Sequence, residues 1–395
     1  MKQERVCVGI PREIKPGEYR VSGLPCHVRR LRAMGCRVVV QAGAGANAAV
    51  PDREYEEAGA EILADAGAIY ASADLLWKVK EILPAEFGLL RAGHTVFTYL
   101  HAAPRPLMTE ALRKSGCIAI AYEEMTDEEG RRPLLAPMSR LAGAGAIALA
   151  AQFSQALYGG SGKLLFLTDG AEPAVVAILG GGVAGRAAAR AALGAGAKVR
   201  VLEPVAAVRA RLDAGLPGAE ILDAGEATVR RLLPETDILL NCTLWMPGDP
   251  HIVTRDMLSL MRPRSLIMDV AADPNGGIET SVETTHDNPI RVVDGIQHYC
   301  VQNIPSLFSQ TASRALSEVT WPFLEEMALH GVEQAVRGQG MLRRGVVAWR
   351  GALVGADLGR CQKIPTLAPD DLLRLPRRNL TRWRQNDAQL GAVQG

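Results

Sequence analysis

The chain has 395 residues, with 44 basic and 43 acidic side chains and a formal net charge of +1. That balance argues against a nucleic-acid-binding surface, which needs a clustered basic excess. Hydrophobic residues make up 48% but aromatics only 5%, beside 40 glycines; this Ala/Val/Leu/Ile-rich mixture suits parallel strands under Ala-rich helices and argues against disorder over most of the chain.

The N-terminus Met1–Arg5 leads straight into Val6–Ile10, which reads as a first strand and not as a signal core. A helix is expected over Leu24–Met34, a strand over Arg37–Gln41 and another over Thr95–Tyr99. A helix over Arg105–Ser115 and a strand over Ile118–Tyr122 follow. A long helix is expected over Ser139–Tyr158. Its apolar part, interrupted by Gln152 and Gln155, falls short of the roughly 18–20 residues of a membrane span. A second series then begins: strand Val175–Leu179, helix Ala184–Leu193, strand Lys198–Leu202 and helix Val205–Asp213. Strands Asp237–Asn241 and Ser265–Val270 complete a doubly wound nucleotide-binding pattern. A long helix over Leu307–Leu329 closes it.

The two long helices read as the connections by which one domain is inserted into another. The expected fold is α/β, two doubly wound domains, with a Rossmann domain (residues 138–306) inserted into a discontinuous domain (residues 1–137 and 307–395). The seven cysteines are scattered and none forms a CxxC. A reduced, cytoplasmic setting without a metal site is therefore expected. The tail from Arg374 to Gly395, basic and then polar, reads as a solvated end.

Gly180-Gly181-Gly182-Val183-Ala184-Gly185 matches GxGxxG, follows a strand and opens a helix. Gly180 permits the tight turn, Gly182 a close approach of backbone to pyrophosphate, and Gly185 close helix–strand packing. The next strand ends at Glu203, where an acid would accept both ribose hydroxyls and repel a 2′-phosphate. NAD is therefore the expected cofactor, with Arg209 or Arg211 as the residues that would favour NADP instead.

Several segments, in order, resemble the alanine dehydrogenase family within the alanine dehydrogenase and pyridine nucleotide transhydrogenase superfamily. They include Gly9-Ile10-Pro11-Arg12-Glu13-Ile14-Lys15, Glu18-Tyr19-Arg20-Val21, Lys78-Val79-Lys80-Glu81, Thr98-Tyr99-Leu100-His101 and Leu134-Leu135-Ala136-Pro137-Met138-Ser139. The resemblance runs from Val8 to about Asp357. It implies an L-amino-acid dehydrogenase, a homo-oligomer and typically a hexamer, whose only other partner is a small-molecule amino acid. Arg20 and Lys80 match the family's carboxylate-binding pair, a fork and a point charge. A two-residue strand step would put Lys78 on the same face, so the choice of Lys80 comes from the resemblance. His101 matches the proton-transfer group and Asp273 the catalytic aspartate; Asp269 is the alternative acid, a backbone hydrogen-bonder. Asn303 and Ser139 match residues lining the cofactor.

The sequence also departs from the family. Pro274 interrupts the loop after Asp273, Ala102 replaces a leucine after His101, and Arg140 replaces a glutamate. A widened pocket and a substrate other than L-alanine are expectations these changes raise. A saccharopine- or opine-type dehydrogenase, acting on a secondary amine, is the second reading. A transhydrogenase-like NAD-binding module is the third.

Overall fold

A computed structural model describes residues 6–246, 248–272 and 275–375. It divides into two compact units: the chain up to Leu135 together with the chain from Ser309 onward, and the chain from Ala136 to Phe308.

The strands in chain order are β1 (Cys7–Ile10), β2 (Arg37–Gln41), β3 (Glu61–Leu63), β4 (Leu75–Trp77), β5 (Thr95–Thr98) and β6 (Ile118–Ala121). The inserted unit supplies β7 (Val175–Leu179), β8 (Lys198–Leu202), β9 (Ala219–Leu222), β10 (Ile238–Asn241), β11 (Leu266–Asp269), β12 (Ile290–Val293) and β13 (Ile296–Tyr299). The chain returns through β14 (Val346–Trp349) and β15 (Ala352–Leu353).

Among the described residues, the first unit is built on one sheet of order β15-β14-β6-β5-β4-β1-β2-β3. Its strands β1 to β6 are parallel, and β14 and β15 add antiparallel. β1 pairs with both β2 and β4, so the strand order reverses there. Ligands of such sheets bind beyond the carboxyl ends of the strands at that reversal. The loops leaving β1, β4, β5 and β6 therefore carry the residues to inspect.

The inserted unit has the order β12-β13-β11-β10-β7-β8-β9. It is parallel except for the β12–β13 hairpin, and it reverses between β7 and β10. Successive side chains leave a strand on opposite faces. Ile238 and Leu240 of β10 accordingly join one core, with Val176 and Ile178, while Leu239 joins another with Ala177 and Leu179. Both faces are covered, which is why these strands are apolar throughout and do not alternate.

The helices obey local chemistry. Pro106 opens the helix Pro106–Ser115 at a position whose missing N–H costs nothing, and Gly116, at φ 69°, ends it. The long helix expected over Ser139–Tyr158 is Ala136–Phe153 followed by a 3-10 turn, Ala156–Tyr158. Gln155 is extended there, and Gly160 packs where a Cβ would meet the Phe153 carbonyl at 2.4 Å.

Candidate active site

The first unit gathers cations at the strand ends. Arg20 lies in the loop after β1 and is buried. Glu18, two residues before it, grips it: Oε1 accepts from Nε at 2.7 Å and from the backbone N–H at 3.0 Å, and Oε2 accepts from Nη2 at 2.5 Å. A charge so deep needs such a partner, and the pairing fixes the guanidinium plane.

Lys78 and Lys80 follow β4. Lys78 is fully buried, with its Nζ 2.9 Å from Glu86 and 3.3 Å from Glu13. Glu13 also accepts the backbone N–H groups of Val79 at 2.7 Å and Lys80 at 3.3 Å. Among the described residues Lys80 makes no ion pair. Burial, with Arg20 and Lys15 nearby, pulls its ammonium down to about 8. Lys78 thus serves the interior, while Lys80 is a partly desolvated cation in the field of Arg20.

His101 follows β5 and is held from three sides. Its backbone is left-handed, at φ 45°. Its N–H donates to Glu123 Oε1 at 2.5 Å, and Arg105 Nη1 donates to its carbonyl at 2.7 Å. Its ring stacks on Tyr99, with planes 9° apart. Burial and then the positive Lys80 hold the imidazole well below its ordinary range, so it is neutral at physiological pH and ready to accept a proton. Glu81, itself buried, receives Lys15 at 2.7 Å and Arg105 at 3.0 Å.

The glycine turn belongs to the inserted unit. Gly180 has φ 90°. A Cβ on Gly185 would stand 1.9 Å from the Gly180 carbonyl, whereas one on Gly182 would meet nothing within 4 Å. Gly182 therefore borders open space at the N-terminus of the helix Val183–Gly194, where free N–H groups favour an anion. Glu203, just past β8, accepts from Gly181 N–H and Val205 N–H, both at 2.9 Å. The carboxylate is thereby fixed beside the turn with lone pairs to spare. These residues fit a dinucleotide. The arginines that would favour a 2′-phosphate are engaged: Arg209 with Asp223 and two carbonyls, Arg211 with the Ala207 carbonyl.

Ser139 stands in the first turn of the helix Ala136–Phe153, and Asn303 is left-handed at φ 67°, its carbonyl accepting from Ser306. Asp273 and Pro274 lie outside the described residues, as does the tail from Pro376 onward. Asp269 is buried and accepts from Asn241 at 3.0 Å, from Ala272 N–H at 3.1 Å and from the Ser281 hydroxyl; its oxygens hold the loop. Ala102, expected to widen a pocket, instead packs into the first unit's core with Met108 and Leu358. Trp77 is buried and packs on His27.

Sequence motifs point to the cations but not to the acids that surround them. Glu18 and Glu81 sit inside the quoted motifs, two residues and one residue from Arg20 and Lys80. Glu123 comes from the end of β6, with no local signal. Among the described residues no group of His, Cys, Asp and Glu is arranged for a metal, and no helix is long and apolar enough to cross a membrane.

Two family models match nearly the whole length in sequence: alanine dehydrogenase/PNT, N-terminal domain, over residues 9–142, and alanine dehydrogenase/PNT, C-terminal domain, over residues 146–356. An alanine dehydrogenase from Halomonas elongata is 43% identical over 336 residues, covering 83% of this chain and 89% of its own. A solved L-alanine dehydrogenase superposes with a TM-score of 0.86 at 35% identity, over 90% of this chain and 99% of its own. A solved transhydrogenase from Sinorhizobium meliloti gives 0.75 at 27% identity, over 88% and 98%.

Proposed function

The chain belongs to the alanine dehydrogenase/PNT family, and from that premise we propose that it catalyses the reversible, NAD-dependent oxidative deamination of L-alanine to pyruvate and ammonia. The observation that carries the reading is the set of side chains at adjacent strand ends of the first unit. Arg20, Lys80 and His101 leave β1, β4 and β5, which are neighbours in one sheet.

Arg20 and Lys80 bind the substrate carboxylate, Arg20 held rigid by Glu18 and Lys80 supplying a second positive charge. His101 takes a proton from the substrate ammonium, so that the amine nitrogen regains its lone pair. Bound NAD supplies the acceptor for the hydride leaving the α-carbon. His101 passes that proton to solvent and, neutral again, deprotonates the water that attacks the resulting imine, then returns the proton to the departing amine, and Asp273 positions the amino group. Gly180, Gly182 and Gly185 seat the pyrophosphate, Glu203 takes the ribose hydroxyls, and Ser139 and Asn303 line the cofactor. Residues 138–306 act as the NAD domain, and the remainder as the substrate domain. The reading extends to a homohexamer working in the cytoplasm, on the grounds of the family resemblance and the scattered thiols.

L-Alanine is preferred over a larger or secondary amine. The related proteins are named alanine dehydrogenases, and the small Ala102 side chain faces core instead of adding room. NADH formation measured across L-amino acids should be dominated by alanine. His101→Ala should abolish turnover while leaving NAD binding intact. An enzyme inert to alanine, or a His101→Ala variant of undiminished rate, contradicts the assignment.

A further inference from the structure

Glu123 sits beneath His101 and makes contacts that no role above uses. It is buried, 4% exposed, at the end of β6. Its carboxylate accepts the N–H of Leu100, at 3.2 and 3.3 Å from its two oxygens, and the N–H of His101 at 2.5 Å. The same Oε1 lies 4.0 Å from His101 Nδ1. That is too long for a hydrogen bond but close for a charge in a partly desolvated site. β5 and β6 are paired in register from Thr95↔Ile118 to Thr98↔Ala121, so the two loops leave the sheet side by side.

We propose that Glu123 is a positioning residue for His101: its carboxylate clamps the left-handed turn that carries the imidazole, and it stabilises the imidazolium formed when the substrate ammonium gives up its proton. The inference rests on the proposed function. In that step an ammonium N–H bond breaks, its electron pair stays on nitrogen as the free amine, and the proton forms an N–H bond on the imidazole at Nε2, the nitrogen that does not face Glu123. The new positive charge appears among three cations, Lys80, Arg105 and Lys15, with Glu81 the other anion acting on it and Tyr99 stacked on the ring. Without a further anion this surrounding opposes the charge that catalysis requires. Glu123 is that anion, with Glu124 adding like charge to it. Burial raises its own carboxyl to about 7, so above that pH its charge, 4.0 Å from Nδ1, is coupled to the imidazole.

Glu123→Gln keeps the size and an acceptor oxygen but removes the charge. Wild-type alanine turnover is measured first; its absence would overturn the proposed function and this inference with it. Given turnover, E123Q should lower kcat about tenfold or more with NAD affinity within about twofold. It should also move the acidic limb of the kcat/KM profile down by about one pH unit, because loss of the anion favours neutral imidazole. Glu123→Asp should bring the limb back toward its wild-type position. An unmoved limb, or an undiminished kcat in E123Q, overturns the proposal alone. Should E123Q not fold, the wild-type His101 ring resonance, identified by its loss in His101→Ala, decides the matter. A two-step titration that includes the carboxyl supports the coupling, and a single step overturns it.

Discussion

Lys78 and Lys80 stand two residues apart and have opposite fates. Sequence spacing put both on one face, and only the family resemblance selected Lys80. The structure supplies a physical difference: Lys78 is taken up by Glu13 and Glu86, whereas burial and the neighbouring Arg20 depress Lys80 to about 8. A lowered ammonium loses its charge as pH rises through about 8 instead of 10.5. The binding of a carboxylate to it weakens in the same window, not at lower pH. The Kd of pyruvate should therefore rise by roughly tenfold one pH unit above the Lys80 value. Lys80→Gln should bind weakly and without that dependence. A pyruvate Kd flat from pH 7 to 9.5 by titration of the NADH complex would remove Lys80 from the carboxylate site. The acids at this site were harder to read than the cations. A motif fixes which residue types are near in sequence, but not that Glu18 folds back onto Arg20 or that Glu123 reaches His101 from a different strand.

At the scale of elements, the strands that sequence patterning identified are four- and five-residue apolar runs, nearly all buried on both faces, with Lys198 of β8 exposed and Arg200 half-buried as exceptions. Val175–Leu179 and Lys198–Leu202 stand where expected, and β10 and β11 differ from expectation only at their ends. The strands it did not identify are each of four residues or fewer: Glu61–Leu63, Leu75–Trp77, Ala219–Leu222, Val346–Trp349, Ala352–Leu353, and the Ile290–Val293 and Ile296–Tyr299 hairpin. β13 reads Ile-Gln-His-Tyr and is nonetheless buried. Gln297 Nε2 donates to the Tyr158 carbonyl and His298 bonds Thr280, partners that no local pattern reveals, while Gln297 Oε1 and the Tyr299 hydroxyl are buried without one among the described residues. Small residues were legible as composition but not as contacts. On the helix Ala136–Phe153, a Cβ at Gly143 would lie 2.0 Å from the Ala184 carbonyl, backbone of the helix that follows the glycine turn. Two backbones cannot yield as a side chain end can, so Gly143→Ala should cost at least about 2 kcal/mol in denaturant unfolding. Gly194→Ala, at a helix position with nothing within 4 Å, is the matched control and should change stability by no more than about 1 kcal/mol. Equal effects at the two sites would mean that the close approach of these helices does not govern packing.

At the scale of the whole molecule, insertion of one unit within another requires that the inserted chain begin and end close together. The contacts of Gly145 show how this is met. Its Cβ position lies 2.5 Å from the Phe308 ring and 3.0 Å from Ile304, so the helix that opens the inserted unit packs on the 3-10 turn that closes it. Such an insertion adds little loop-closure entropy to the host, and it leaves the guest a continuous chain with its own core. That core is present: two clusters cover the two faces of the β7–β13 sheet, drawn from residues between Ala146 and Ile304. The glycine turn, Glu203 and the strands that hold them fall within the same span. The polypeptide 136–308 should therefore fold alone, with a cooperative thermal transition by circular dichroism, and bind NADH with a Kd within about tenfold of the full chain. The outer unit is built from two separate segments, and residues 1–135 without the returning β14 and β15 would leave β6 as an open edge. That fragment should aggregate or remain unfolded under the same conditions. A folded 136–308 that fails to bind NADH would show that the cofactor site needs groups from the outer segments, and the assignment of Glu203 and the glycine turn as the main holders of the dinucleotide would have to be given up.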